Sequence, residues 1–138
     1  MSESRCRLDV ALRTQQGLYV TALPKEGNWR LAGIANRILS WENFVMIQLG
    51  QNQVALKTAH STYVSAKNEK DEWRLRADAD RILGWEIFIL EERGASFTLR
   101  TAHQGFVCSG PVGPPQHPNV FFGSLQLEPN CYFSLVYL

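Results

Sequence analysis

An internal repeat constrains the fold of this chain more than any other feature. Three segments share one pattern: Val-Ala-Leu-Arg-Thr at 10–14, Val-Ala-Leu-Lys-Thr at 54–58 and Phe-Thr-Leu-Arg-Thr at 97–101. Each is followed, five residues later, by an aromatic residue and a valine. The starting positions give offsets of 44 and then 43 residues. Such a period indicates similar supersecondary units, none of which can bury its apolar face alone.

The second half of the repeat is also present in two copies. Two tryptophans 12 residues apart occur at 29 and 41, and again at 73 and 85. The second tryptophan of each pair begins a Trp-Glu-x-Phe motif, at 41–44 and 85–88. The third copy has diverged here, since it keeps Phe133 at the phenylalanine position but has Asn130 in place of the tryptophan.

Within each repeat the hydrophobic pattern predicts β-strands. Val54 and Leu56 alternate with Ala55 and Lys57, which is the period of a half-buried strand. A short polar turn and a second alternating run follow, and the glycines at 17 and 105 suit a hairpin at this turn. Segments 44–47 and 88–90 are apolar on both faces and rich in strand-forming residues, as buried strands are. One short helical turn is expected around Asp78 to Leu83, and no longer helix.

Four strands per repeat give twelve short strands that must share one core, because no repeat can bury its apolar face alone. Closing them into a threefold barrel capped by hairpins removes exposed sheet edges. The segment 133–138 suits a last strand that pairs back near the first. The sequence therefore predicts an all-β fold, a β-trefoil, as one domain over residues 1–138. Its repeats are expected at about 8–51, 52–94 and 95–138.

Net charge, cysteine content and the first residues limit which classes of partner and which cellular compartment are expected. With 14 basic and 13 acidic residues the net charge is +1, so no nucleic-acid partner is expected. Cys6, Cys108 and Cys131 are odd in number and widely spaced, which argues against a disulfide framework and a structural zinc site. The first seven residues contain no apolar run, so no signal peptide is expected, and no stretch is long enough to span a membrane. The predicted compartment is reducing and cytoplasmic.

The four tryptophans are interpreted as core residues. They recur at fixed repeat positions beside apolar runs, and buried aromatic side chains dominate the energetics of cores. Trp41 and Trp85 are expected to share one buried layer with Phe133, so that truncating Trp85 would cost about 3–5 kcal/mol. The alternative interpretation is an aromatic platform for a sugar.

A pair of arginines accompanies the tryptophan motifs. Arg37 and Arg81 precede Ile-Leu in both copies, and Glu42 and Glu86 follow five residues later. A ligand contact is one interpretation. A local salt bridge or a carbonyl contact that braces the loop is preferred, because a planar guanidinium suits such a role.

Three histidines are candidate partner-binding residues. His60 and His103 occupy matching turns, and His117 lies in the segment 110–118, in which six of nine residues are Gly or Pro. No metal is expected, because repeat symmetry places the two turn histidines on different lobes without a third ligand nearby. A Cys108–His103 nucleophile pair is disfavoured, since Cys108 aligns with small residues of a hairpin strand. The Gly/Pro segment is either a preorganised binding loop or a tolerated insertion at a loop tip.

Arg13, Lys57 and Arg100 occupy one repeat position. The leucines before them should face inward, so the basic side chains should face outward. They are candidate contacts to an acidic protein or to negative groups of a sugar. The alternative is a solubilising charge on each strand.

The segment 54–66 and the motifs at 41–44 and 85–88 resemble the fascin and hisactophilin group. The resemblance covers nearly the whole chain, strongly over two repeats and weakly over 110–132. It implies a β-trefoil that associates with actin filaments or bundles them. The chain has only three histidines, so hisactophilin's histidine-rich surface is not carried over, and it has one trefoil where fascin has several.

The sequence contains no nucleophile elbow, no phosphate-binding glycine loop and no His-Glu-x-x-His motif, so neither an enzyme nor a cofactor is expected. The predicted function is a non-enzymatic binding module for a protein partner, with actin filaments as the first choice. A carbohydrate-binding lectin of the same fold is the alternative, although the chain lacks the Gln-x-Trp pattern of ricin-type lectins. Protease inhibition through an exposed loop such as 110–118 ranks third. The sequence does not determine the oligomeric state.

Overall fold

The computed structural model describes residues 7–27, 29–69, 72–109, 120–124 and 126–138. These residues contain twelve strands: β1 Arg7–Arg13, β2 Tyr19–Ala22, β3 Leu31–Ala35, β4 Phe44–Gly50, β5 Gln53–Lys57, β6 Tyr63–Glu69, β7 Glu72–Ala79, β8 Phe88–Arg93, β9 Ser96–Arg100, β10 Phe106–Ser109, β11 Val120–Ser124 and β12 Ser134–Tyr137. They also contain four 3₁₀ turns of three residues each: Lys25–Gly27, Ser40–Glu42, Gly84–Glu86 and Pro129–Cys131. Over this part of the chain there is no longer helix, which confirms the predicted twelve-strand architecture.

Six strands close into a barrel. β1 pairs with β4 and β12, β5 pairs with β4 and β8, and β8 pairs with β9. A backbone bridge between Phe97 and Phe133 completes the ring, with reciprocal N–H to carbonyl distances of 2.9 and 3.0 Å. The last strand therefore pairs back with the first, as the sequence predicted. Closure of this kind gives every barrel strand two neighbours and removes exposed edges.

Three hairpins, β2–β3, β6–β7 and β10–β11, cap one end of the barrel. Each follows a barrel strand through a tight turn, and one residue pair joins the strand to its hairpin: Arg13 with Tyr19, Lys57 with Tyr63, and Arg100 with Phe106. The hairpins also meet one another, through an Arg30–Arg76 bridge and a pair between Phe121 and Arg74. A six-stranded barrel capped by three hairpins is a β-trefoil.

Two rings of inward-facing apolar side chains fill the barrel, because residues two apart on a strand share a face. The inner ring, next to the hairpin cap, consists of Leu12, Phe44, Leu56, Phe88, Leu99 and Phe133. The middle ring, one pleat farther from the cap, consists of Val10, Met46, Val54, Leu90, Phe97 and Leu135. All are buried except Leu90 and Leu135, which are partly buried.

The interpretation of Trp41 and Trp85 as core residues is wrong. Trp41 is 41% exposed and Trp85 is 47% exposed, whereas Phe133 and its equivalents Phe44 and Phe88 are fully buried. Each tryptophan lies in a 3₁₀ turn directly before a barrel strand. The alternation of a strand does not extend into such a turn, so the tryptophan is directed outward while the phenylalanine three residues later faces the core. Trp29 is half-buried, and the side chain of Trp73 lies outside the described part of the structure.

Two local predictions are also corrected. The helical turn lies at Gly84–Glu86 and not at 78–83, because β7 continues to Ala79 and the Glu86 carboxylate accepts the Leu83 N–H at 2.7 Å. In the third hairpin turn the residue with positive φ is Gln104 (77°), not the expected Gly105. Gln104 corresponds to Gly17 (86°) and Ser61 (64°) in the other repeats, so glycine is used at only one of these three left-handed positions.

The burial of Phe88 and the exposure of Trp85 lead to a prediction about stability. Phe88→Ala should lower the free energy of unfolding by about 3–5 kcal/mol, because it leaves a cavity in the inner ring. Trp85→Ala, three residues earlier, should cost only about 1 kcal/mol, because half of this side chain is already in water. Urea denaturation of both variants measures the difference. Equal losses for the two variants would contradict the assignment of Phe88 to the core and Trp85 to the surface.

Candidate binding surface at the seams between repeats

The turns between β1, β5 or β9 and the following hairpin strand present one polar side chain each to the preceding repeat. In the second turn the Thr58 hydroxyl accepts the His60 backbone N–H at 3.1 Å, and Thr101 does the same for His103 at 3.1 Å. This local bond fixes the backbone of each histidine, as threonine side chains commonly do in turns. The two histidines are therefore positioned by their own turns.

Each histidine bridges to the repeat before it. His60 Nε2 lies 2.9 Å from the Ala22 carbonyl oxygen, and His103 Nε2 lies 3.0 Å from that of Ala66. A carbonyl oxygen only accepts, so Nε2 carries the hydrogen in both rings. These contacts tie the turn of one repeat to the hairpin strand of its neighbour, and they define the seam between the two repeats.

The exposed tryptophans lie at the same seams. The ring centres of Trp41 and His60 are 5.2 Å apart, and those of Trp85 and His103 are 5.0 Å apart. Trp29 also approaches His60 edge-on, at 6.3 Å. The geometry is edge-to-face or tilted, which leaves indole surface in contact with solvent.

An exposed leucine completes each surface. Leu39 is 62% exposed and Leu83 is 61% exposed, and each lies two residues before its tryptophan. We define platform 1 as Leu39, Trp41 and His60, and platform 2 as Leu83, Trp85 and His103. The platforms are equivalent in repeat position, and each is built from two consecutive repeats.

A buried carboxylate holds each platform in place. Glu42 accepts hydrogen bonds from the Thr21 hydroxyl at 2.7 Å and from the Leu39 backbone N–H at 2.8 Å. Glu86 accepts the corresponding bonds from Ser65 at 2.6 Å and from Leu83 at 2.7 Å. Both carboxylates are buried, where charge-assisted hydrogen bonds are strong. Each one joins its 3₁₀ turn to the hairpin strand of the same repeat.

Of the bracing contacts expected for the two arginines, a local salt bridge forms at Arg81, but its partner is Asp80 and not Glu86. Glu42 and Glu86 bond to hydroxyl and amide donors in the interior, while Arg81 is exposed and pairs with its neighbour Asp80 at 3.4 Å. Arg37 is exposed as well. A hydroxyl on the facing strand satisfies the carboxylate without burying a second charge, which would carry a large desolvation penalty.

The corresponding cross-link within the third repeat is built differently. Cys108 and Cys131 form a disulfide, contrary to the prediction from the cysteine count. Cys108 corresponds to Thr21 and Ser65, and Cys131 precedes its phenylalanine by two residues, as Glu42 and Glu86 precede theirs. The disulfide therefore stands where the other repeats have a hydroxyl–carboxylate hydrogen bond. It also removes Cys108 as a nucleophile.

The third seam carries no platform in its described residues. Asn130 stands at the tryptophan position, and its side-chain amide donates to the Ser109 carbonyl oxygen at 2.7 Å. Gln16 takes the place of the turn histidine and accepts from the Ser109 hydroxyl at 3.4 Å. Glu128 replaces the exposed leucine. Polar contacts thus close this seam without an exposed indole.

The three candidate cations behave alike. Each faces outward beside a buried leucine, as predicted, and each lies over the aromatic ring that begins the next strand: Arg13 over Tyr19 at 5.9 Å, Lys57 over Tyr63 at 6.0 Å, and Arg100 over Phe106 at 5.0 Å. Arg100 also pairs with Glu91 at 3.5 Å. Lys57 and Arg100 precede the platform histidines by three residues, so at most about 11 Å of chain separates them.

His117 and the Gly/Pro segment 110–118 fall outside the described residues.

The matching turns of His60 and His103 were recognisable from sequence, whereas the platforms and the disulfide were not predicted. A signal for the disulfide is present in the aligned repeats. Thr21, Ser65 and Cys108 occupy one column, and Glu42, Glu86 and Cys131 occupy another. In each column two repeats have a polar residue and the third has a cysteine. Such matched columns predict that their residues are in contact, and two cysteines in contact predict a disulfide.

The described residues contain no group of three or more His, Cys, Asp or Glu side chains that could hold a metal ion. Within the same residues no helix has the length and apolar character needed to cross a membrane.

Comparison with solved structures identifies the fold. The designed threefold-symmetric protein ThreeFoil superposes with a TM-score of 0.79 at 14% identity, over 96% of this chain and 99% of that one. The BEL β-trefoil gives a TM-score of 0.74 at 14% identity, over 95% and 93% of the two chains. An exo-β-1,3-galactanase from Clostridium thermocellum gives 0.80 at 10% identity, with 95% of this chain matching 30% of the enzyme. No protein-family model and no curated protein matches the sequence. The chain is a β-trefoil.

The equivalence of the disulfide to the hydroxyl–carboxylate bonds of the other two repeats predicts that the disulfide is replaceable. Cys108→Ser alone should lower the free energy of unfolding by about 2–4 kcal/mol, because it opens a loop of 23 residues. Adding Cys131→Glu should recover part of this loss, because it recreates the Ser65–Glu86 hydrogen bond of the second repeat. Urea denaturation with and without a thiol reductant measures both effects. Reductant should destabilise the parent but leave the double variant unchanged.

Cys131→Glu alone serves as the control, since its buried carboxylate lacks the hydroxyl donor. It should be the least stable of the three variants. A parent whose stability does not respond to reductant would contradict the disulfide. A double variant no more stable than Cys131→Glu would contradict the equivalence of the three cross-links.

Proposed function

We propose that this protein is a non-enzymatic binding module that holds a protein partner on platforms 1 and 2. The observation that carries the proposal is the repeated exposure of a leucine and a tryptophan beside a histidine. Tryptophan is among the residues enriched at the energetic centres of protein interfaces. Two such surfaces on one small domain offer two equivalent docking points.

The third repeat supports a binding role over a structural one. There the fold is maintained with Asn130 and Glu128 at the positions of the tryptophan and the leucine, and Phe133 still fills the inner ring. Exposed apolar side chains at Leu83 and Trp85 are therefore not required to build a repeat. A contact to a partner accounts for keeping them in two repeats out of three.

Each platform is preorganised. The tryptophan packs against a histidine that is itself bonded to a backbone carbonyl, and its 3₁₀ turn is tied down by Glu42 or Glu86. A side chain held in this way loses little conformational entropy when a partner docks on it. The arrangement favours recognition over catalysis, since the groups around the indole are all engaged in holding it.

Actin filaments are the partner that the resemblance to fascin and hisactophilin suggests. Lys57 and Arg100 lie within a few residues of the platform histidines and would face an acidic filament when an indole docks. Two platforms would also let a single trefoil contact two filaments, which removes the need for a dimer in bundling. The cytoplasmic location belongs to this same proposal.

Cosedimentation with filamentous actin tests the proposal. The parent should pellet with filaments at low salt, and Trp41→Ala/Trp85→Ala should lose most of this binding while melting close to the parent temperature. Tyr137→Ala is the control, because it removes an exposed aromatic ring from the opposite end of the barrel. Absence of pelleting by the parent, or equal pelleting by the double variant, would overturn the actin proposal.

The cations are tested in the same assay. Arg13→Gln/Lys57→Gln/Arg100→Gln should keep the fold, because these side chains lie at the surface, but should weaken pelleting. Raising the salt from about 0.1 M to about 1 M should weaken the parent similarly, since the Debye length falls from about 10 to about 3 Å. Pelleting of the triple variant that matches the parent would exclude these three residues from the interface.

A carbohydrate ligand is the second candidate, and the disulfide favours it. Disulfides persist in oxidising compartments, where glycans are exposed, and are rare in the reducing cytosol. An indole face can stack against the apolar face of a sugar ring, and Trp41 and Trp85 both offer such a face. One structural neighbour is an exo-β-1,3-galactanase, which makes β-1,3-linked galactan oligosaccharides a reasonable first probe.

Tryptophan fluorescence distinguishes the two candidates. If the ligand is a glycan, galactan oligosaccharides or glycan-array ligands should shift the emission of the parent, and Trp41→Ala/Trp85→Ala should abolish the shift. Trp41→Ala and Trp85→Ala should each keep one sugar site, and that site should bind with the same affinity as in the parent. A glycan response that survives in the double variant would show that the platforms are not the sugar sites.

A further inference from the structure

The end of the barrel opposite the hairpin cap contains a cavity of about 320 Å³. All six barrel strands line it, and no strand of the three hairpins does so among the described residues. Small-molecule sites in proteins commonly occupy about 300–1,000 Å³ and often lie in the mouths of barrels. The platform residues do not line this cavity, so the barrel mouth is a separate feature of the molecule.

The cavity exists because the outermost ring of inward-facing side chains does not close. Continuing the alternation of each barrel strand beyond the middle ring reaches Leu8, Gln48, Asn52, Glu92, Ala95 and Tyr137. These side chains are exposed, whereas Met46, Val54 and Phe97 of the middle ring are buried and form the floor. The mouth therefore combines an apolar floor with an open rim.

The rim has two chemically different sides. Leu8 lies 47% exposed on β1 and Tyr137 lies 67% exposed on the adjacent β12, so this side is apolar and aromatic. Gln48, Asn52 and Glu92 supply polar groups from β4, the β4–β5 turn and β8. An exposed apolar side facing a polar side matches a ligand with one apolar part and one polar part.

The charge of the cavity lining indicates which charge the polar part of the ligand should carry. Glu92 is the one charged residue among the described residues that line the cavity. The neighbouring Arg93 belongs to the outer face of β8, where it pairs with Glu91 at 3.1 Å and donates to Thr98 at 3.1 Å. Its charge is thus directed away from the mouth, and the carboxylate of Glu92 is left to face the ligand.

We propose that the barrel mouth binds a small amphipathic organic cation. The cationic amine lies beside Glu92, and the apolar body rests on Met46 and Leu135 between Leu8 and Tyr137. The site shares no residue with the platforms, so its test is independent of the test of the proposed function.

Titration with three probes of one shape tests the proposal: 2-phenylethylammonium, neutral 2-phenylethanol and anionic 3-phenylpropanoate. Methyl carbon–proton NMR spectra follow Leu8, Met46 and Leu135 in the mouth and Leu39 and Leu83 on the platforms. The ammonium ion should bind saturably with a Kd on the order of 1 mM, as suits a fragment-sized ligand. Its shifts should be confined to the mouth, the alcohol should bind about fivefold more weakly, and the carboxylate weaker still.

Two variants on one strand separate charge recognition from general packing. Glu92→Gln should bring the affinity for the ammonium ion down to that for the alcohol. Glu91→Gln is the matched control, because it makes the same change one residue away on the outer face, and it should bind like the parent. Ala95→Phe should block the mouth and abolish binding of all three probes.

Three results would overturn the proposal. The first is the absence of saturable binding of the ammonium ion by the folded parent. The second is equal affinity for the ammonium ion and the alcohol, which would remove the role of Glu92. The third is a set of shifts centred on Leu39 and Leu83, which would assign the probe to the platforms instead.

Discussion

In each repeat, one cross-link joins the first hairpin strand to the residue two positions before the inner-ring phenylalanine, and the rest of the structure depends on it. In two repeats it is a buried hydrogen bond to Glu42 or Glu86, and in the third it is the Cys108–Cys131 disulfide. In the first two repeats the cross-link holds the 3₁₀ turn, whose tryptophan is exposed and whose following phenylalanine is buried. Core and candidate binding surface are thus set by the same contact, because the two aromatic residues are only three positions apart.

The divergence of the third repeat follows from this arrangement. Because a covalent bond secures the 3₁₀ turn of the third repeat, the residues around it no longer have to satisfy a buried carboxylate. Asn130 and Gln16 then close the seam through Ser109, and no indole is presented. The molecule keeps a threefold scaffold but offers two equivalent platforms, which suits a module with two contact points.

The fold was predictable from sequence because the repeat fixes two of its properties. The Val-Ala-Leu-basic-Thr pattern fixes which side chains face inward, and the offsets of 44 and 43 residues fix how many copies share the core. The strand pairing of β1 with β12 follows from closure. The site was only partly predictable. His60 and His103 were recognised as equivalent, yet the exposure of Trp41 and Trp85 was not, because burial was inferred from residue size and repetition.

The sequence by itself determined the number of strands, the inward and outward alternation along each barrel strand, and the outward direction of Arg13, Lys57 and Arg100. These are local properties, set by a period of two residues and by the length of the repeat. Only the tertiary structure decided which aromatic ring of each motif is buried and that the barrel mouth stays open. These depend on contacts between residues more than twenty positions apart, whose distances no local pattern specifies.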